Sequence, residues 1–277
     1  MIRNWQKFET VRYSDQPLLK VLPQLKKPIL VAGCQRSGTT AITRILRAGG
    51  DFGELNTTKD DELDAALILS GEIPIPEGDR LVLQTTYLNN HYREYFEHSN
   101  FQLVWILRNP AEVINSMLHN WSAGALRRLF HACGSRALNE EQLTRYQRFG
   151  HWPFSRLEMA CYSYLEKARQ AIELSKTLGK DQLKFLDYDQ FVSQPEKTVK
   201  ALCCFFNVSY SQEVIQTLSK RTQRRASSKL SEKKKNQIRE MCDDAWNESL
   251  KLVADPTTRN AMCNTKGSTI DEVEKEG

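Results

Sequence analysis

Two nearly unbroken apolar runs stand out along the chain: residues 29–32, Ile-Leu-Val-Ala, and residues 101–107, Phe-Gln-Leu-Val-Trp-Ile-Leu. Short apolar runs bounded by polar residues read as strands covered on both faces, as in a parallel sheet. A third strand is expected at 80–84, a short one near Phe52 and a late one at 182–186. Helices are expected at 39–47, 60–69, from 85 to about 96, and from 110. Residues 153–178 read as one long helix, with Leu157, Cys161, Tyr164, Leu165, Ala168 and Ile172 on its apolar face. Further helices are expected at 196–206, 212–218 and 233–252. Strands alternating with helices predict an α/β fold: a central parallel sheet flanked by helices. At 277 residues the chain fits a single domain. Its core spans about 28–207, with a helical cap insertion at about 121–151, a helical extension at about 208–263 and a frayed tail at 264–277.

The first strand runs straight into a polar loop, Gly33-Cys34-Gln35-Arg36-Ser37-Gly38, and then into a helix. Strand, glycine loop and helix in that order form a phosphate-binding loop. The glycines allow a tight turn, and backbone N–H groups converge on an anion at the positive end of the helix. The spacing G-x4-G is that of a nucleotide triphosphatase, but the Lys expected after the second glycine is absent. Thr39 and Thr40 follow Gly38, and the positive charge lies inside the loop at Arg36.

The run 101–107 delivers Arg108 to its carboxyl end, where open α/β sheets bind ligands. Asn109 suits the N-cap of the next helix, Pro110 its first position and Glu112 its first turn. Ser116 lies two turns further on. A triphosphatase would place an acidic magnesium ligand at such a strand end. A cation there favours a second anion instead of a metal.

These segments resemble the PAPS-dependent sulfotransferases, where PAPS is 3′-phosphoadenosine 5′-phosphosulfate. Arg36-Ser37-Gly38-Thr39-Thr40 matches the family's 5′-phosphosulfate loop. Arg108-Asn109-Pro110 through Ser116 matches its 3′-phosphate element. Residues 186–206 are similar to its late Y-E-D-L…P…L…F-L block, so the likeness spans roughly 28–207. The resemblance implies a P-loop-like sulfotransferase fold and PAPS as co-substrate, with no metal. It implies that Arg36, Ser37, Gly38, Thr39 and Thr40 hold the 5′-phosphosulfate, with Arg36 also catalytic, and that Arg108 and Ser116 hold the 3′-phosphate. Tyr188 takes the place of the family's YED tyrosine and is read either as an adenine contact or as a core ring. In related enzymes a late basic loop closes on the 3′-phosphate; Arg221, Arg224, Arg225 and Lys229 fall there, although a charge run by itself is a solvated surface.

The catalytic base needs a separate search. The cytosolic branch carries a K-x-H triplet on its third strand, where this chain reads Gln84-Thr85-Thr86. Other branches place a Glu shortly after the first helix, and Glu54 matches that position. A partly buried carboxylate there would have a raised pKa suited to accepting a proton. His91 and His119 are reserves.

Composition adds limits. The net charge of +5 suits a polyanionic ligand, and no nucleic-acid-binding motif accompanies it, so no nucleic acid is expected. Seven cysteines without metal or redox spacing read as reduced thiols, with Cys34 a packed small residue in the loop. No apolar run approaches the ~20 residues of a membrane span, and the amino-terminal stretch has no signal-peptide core. A cytoplasmic enzyme with a small-molecule acceptor and no membrane partner is therefore expected. The acidic stretch Lys59-Asp60-Asp61-Glu62-Leu63-Asp64 would suit a cationic acceptor if it lined the entrance, but an acidic helix start explains it as well. Two other readings are a P-loop kinase or triphosphatase and a non-catalytic nucleotide-binding relative.

Overall fold

Four parallel strands form the sheet of the computed structural model, in the order β2-β1-β3-β4. The structure describes residues 8–9, 16–50, 52–55, 60–78, 80–209 and 230–254. The strands are β1 (Ile29–Gly33), β2 (Val82–Gln84), β3 (Gln102–Leu107) and β4 (Leu183–Asp187). Leu30 pairs with Leu83 on one side and Leu103 on the other, and Val104 pairs with Lys184. The chain steps outward from β1 to β2, then returns to place β3 on the other side of β1. That reversal makes the carboxyl ends of β1 and β3 a crevice at the switch point of the sheet.

Successive strand side chains point to opposite faces, and each face has its own core. Leu30, Leu83, Leu103, Trp105 and Phe185 pack on one side, with Leu63 and Leu67 of α2 (Asp61–Leu69) and with Ala171 and Leu174. Ile29, Val31, Val104 and Ile106 pack on the other. There they meet Ile42 and Ile45 of α1 (Thr39–Ala48), Phe191, and Val199 and Phe206. A third cluster joins α3 (Pro110–Asn120) and α4 (Ala123–Ala132) to α6 (Arg156–Thr177) and α9 (Glu232–Ala254). Between α4 and α6 lies α5 (Glu140–Phe149), which has no buried residue. After β4 come α7 (Tyr188–Ser193) and α8 (Pro195–Phe206).

The long helix expected at 153–178 is α6, started by a reciprocal cap in which the Ser155 hydroxyl accepts from Glu158 N–H and the Glu158 carboxylate accepts from Ser155 N–H. Residues 121–151 hold α4 and α5, and Leu126, Leu129 and Phe130 of α4 pack in one cluster with α6. At the edge of the sheet away from the crevice, the Arg80 guanidinium donates to Lys27 O, Phe206 O and Gln102 Oε1, at 2.8, 2.7 and 2.7 Å.

Three expectations need correcting. Residues 52–55 form no strand; only Gly53 N–H reaches across, donating to Arg80 O at 3.1 Å. The helix after β2 is 3-10 in character over Thr86–Glu97 and is broken at Asn89, whose φ is 46°. The third strand is shorter than 80–84: it spans Val82–Gln84, with Leu81 O still accepting from Ile29 N–H at 2.9 Å. The helix expected at 212–218, the basic run at 221–229, Lys59, Cys263 and the tail at 264–277 lie outside the described residues. No helix among the described residues is long and apolar enough to cross a membrane.

Candidate active site

The loop after β1 is held open by three left-handed residues: Gly33 (φ 142°), Arg36 (φ 74°) and Gly38 (φ 102°). A Cβ at Gly33 would lie 2.6 Å from Ile106 O of β3, and one at Gly38 would lie 2.0 Å from the Tyr188 ring. Neither position accepts a side chain. Arg36 pays a conformational cost that a glycine would avoid. Ser37 N–H closes the turn onto Cys34 O at 3.1 Å, and Gly38 caps α1, whose first turn holds no acidic residue. The positive end of α1 therefore faces the crevice uncompensated.

Two arginines converge there. Arg36 Nε donates to Ser116 Oγ at 2.9 Å, and Arg108 Nη1 donates to Arg36 O at 3.0 Å. The Arg108 guanidinium lies over the Tyr188 ring, 4.8 Å from its centre, while Glu112 approaches it at 3.7 Å. Tyr164 donates its hydroxyl to Arg108 O at 3.0 Å, fixing the end of β3. Asn109 caps α3 through Ala111 N–H and anchors α7 by donating its own N–H to Asp189 Oδ2, each at 2.9 Å. On the far side of the loop, Gln84 holds both threonines: it donates to Thr39 Oγ1 and accepts from Thr40 Oγ1, each at 3.2 Å.

Two polar atoms in this crevice are buried with no hydrogen-bond partner in the protein: Ser37 Oγ and Arg108 Nε. A buried donor without a partner costs about 1–3 kcal/mol. Both sit where backbone N–H groups, a helix amino end and two guanidiniums already favour negative charge.

The family model of the sulfotransferase domain matches residues 26–253. The chain belongs to the sulfotransferase family. Solved sulfotransferases resemble it at low identity. One from Alicyclobacillus acidocaldarius is 16% identical, with 82% of this chain and 96% of that one covered and a TM-score of 0.49. Mouse sulfotransferase SULT7A1 complexed with PAP is 14% identical, with 88% and 96% covered and a TM-score of 0.46. Retinol dehydratase with androsterone and inactive cofactor PAP is 15% identical, with 82% of each chain covered and a TM-score of 0.46. No curated protein matches the chain significantly.

In this sulfotransferase the structure brings Arg36, Gly38, Arg108, Ser116 and Tyr188 into one contact group, with Ser37 on the same loop and Thr39 and Thr40 opening α1. The Tyr188 ring packs between Gly38 and Arg108 and belongs to the core beneath them.

Glu54 departs from expectation. It is exposed, not partly buried, and the hydrogen bond anchoring its segment is to Arg80, before β2 begins, whereas the loop lies at that strand's carboxyl end. Of the reserves, His119 is exposed with Nδ1 2.8 Å from Asn115 O, and His91 faces Glu94 at 3.3 Å. The acidic stretch is largely engaged in holding α2: Asp60 caps it, Asp61 pairs with Arg47 at 2.5 Å, and Asp64 is buried.

Sequence reasoning did not find the polar cluster beside the loop. Thr86 O accepts from both Gln35 Nε2 at 3.0 Å and Lys167 Nζ at 3.1 Å, and Gln35 also donates to Asn89 Oδ1. Lys167 is only 3% exposed. It follows Leu165 on the apolar face of α6, and nothing in the helical period singles it out. Cys34 is buried, and burial pushes its thiol up to about 12 against the opposing field of Lys167. It is a packed residue and not a reactive thiolate.

Proposed function

We propose that the chain transfers a sulfuryl group from PAPS to a hydroxyl or amine of a small-molecule acceptor, releasing PAP. The observation that carries this reading is the meeting of Arg36, Ser116 and Arg108 at the glycine loop. PAPS supplies the activated sulfuryl group. The backbone N–H groups of 37–40 and the hydroxyls of Ser37, Thr39 and Thr40 bind the 5′-phosphosulfate. Arg108 takes the 3′-phosphate with a guanidinium whose Nε is free to donate, and Ser116 adds a neutral hydrogen bond. Tyr188, stacked on Arg108, keeps that guanidinium flat and in place.

Arg36 serves a different moment. Its charge matters most as negative charge gathers on the departing phosphate, so its worth is in the transition state. Ser116 fixes the Arg36 side chain, and Arg108 fixes its backbone carbonyl, before the reaction begins. Glu54 is our proposed base on its place in the chain after α1 alone, since its segment bonds to Arg80 at the amino end of β2 and not beside the loop. A cationic acceptor has less support, because Asp60 and Asp61 are engaged within the protein and Asp64 is buried. The reading places the reaction in the cytoplasm.

The test is release of PAP from PAPS in the presence of a panel of alcohols, phenols and amines. Acceptor-dependent PAP release with a sulfated product supports the reading. Phosphoryl transfer from ATP to the same acceptors would replace it with a kinase.

A further inference from the structure

Large apolar side chains reach solvent in few places among the described residues, and the two most exposed, Trp152 and Phe149, adjoin at one tip. Trp152 is 84% exposed, Phe149 52% and Leu143 38%; a fourth, Ile75, lies elsewhere. Phe149 ends α5 and Trp152 lies in the turn at 150–153 that leads into α6, while Leu143 lies in the first half of α5. That turn is fixed by Gly150, at φ 62°, and by Pro153. The Trp152 ring stacks on His151 at 6.1 Å and 24°, so the indole has a defined orientation although it is exposed.

The segment from 121 to the first residue of α6 carries most of the chain's net charge. Residues 121–156 hold six arginines against two glutamates, a net +4 out of +5 for the whole chain. Arg127, Arg128, Arg136, Arg145, Arg148 and Arg156 are all exposed, and none is ion-paired among the described residues. Arg148 lies over the Phe149 ring at 5.0 Å, and Arg127 reaches His151 Nε2 at 3.3 Å. Cations and apolar rings therefore alternate across the tip.

We infer that this tip is a peripheral docking surface for an anionic lipid bilayer. Tryptophan and phenylalanine settle at the headgroup boundary, and arginines beside them meet anionic headgroups. A second copy of this chain is a poor occupant: a two-fold contact at the tip would set Arg127 and Arg148 against their own copies. A dissolved polyanion would use the arginines but leave Phe149 and Trp152 in water. The sequence reading expected no membrane partner because no segment spans; surface contact needs no span. The inference is independent of the nucleotide reading.

The experiment is co-sedimentation of the full chain with vesicles of phosphatidylcholine and phosphatidylglycerol at 3:1, against phosphatidylcholine alone, with melting temperature as the folding control. We expect partitioning at least about tenfold stronger on the anionic vesicles and weaker at high salt. The double variants Phe149→Ala/Trp152→Ala and Arg145→Glu/Arg148→Glu should each lower it about tenfold with melting temperature kept. Equal binding to neutral vesicles, no binding, or unchanged binding by both double variants would overturn the inference. So would a concentration-dependent dimer that the Phe149→Ala/Trp152→Ala variant abolishes.

Discussion

Arg36 and Ser116, 80 positions apart in the chain, are joined by a 2.9 Å hydrogen bond from the guanidinium Nε to the hydroxyl. The bond ties the glycine loop after β1 to the helix after β3. It explains why a serine in mid-helix matters and why the loop's arginine tolerates a left-handed backbone: its side chain is oriented from across the crevice.

Replacing Arg108 with alanine removes a guanidinium and its hold on the Arg36 carbonyl. PAP binding should weaken by ~2–4 kcal/mol, the scale for truncating one member of a charge-assisted pair. Titration calorimetry reads this directly. Preference for PAPS over the analogue without the 3′-phosphate should fall with it; unchanged PAP affinity would remove Arg108 from the site.

Arg36→Ala should act mainly on turnover. A ~10²–10³-fold loss in kcat, with PAP affinity changed far less, is the pattern of a donor needed in the transition state. Pre-steady-state PAP release separates the two effects. Equal losses in affinity and turnover would make Arg36 a binding residue only.

Glu54→Gln keeps the side chain's size and removes its basicity. Turnover with a hydroxyl or protonated-amine acceptor should drop ~10²–10⁴-fold while PAP affinity stays within about tenfold. Near-normal turnover would transfer the search to His119, His91 or an acceptor that needs no base.

The cap should loosen in mild acid. Burial, with His151 and Arg127 adding to it, lowers the His131 pKa below its ordinary 6.5. Between the lowered value and 6.5 the unfolded chain binds more protons than the folded one, so stability rises with pH there and is lost as pH falls through that window. Melting temperature against pH should show the slope, and His131→Asn should flatten it. An identical slope in the variant would assign it to other groups.

Much of the crevice was legible in the sequence because its parts are local. The buried runs at 29–32 and 101–107, the glycine spacing and the Asn109-Pro110 helix start each announce themselves within a few residues. Arg108 and Ser116 could be related because one strand end and one helix carry both. Glu54 was harder: its expected burial depended on how residues 52–55 return past β2, and they form no strand. Asn89 breaks the helix after β2 by a left-handed turn that its neighbours do not signal. Lys167 comes to the loop only because α6 crosses behind Thr86, a contact between residues 81 apart.

The most direct test of the account is the thermal shift of the purified chain with PAP, compared with Mg-ATP at the same concentration. A ligand that binds only the folded state stabilises it by RT ln(1 + L/Kd) at free ligand concentration L and so raises the melting temperature. The account predicts a clear rise with PAP that is lost in Arg108→Ala, and little or none with Mg-ATP. A rise with Mg-ATP and none with PAP would contradict it.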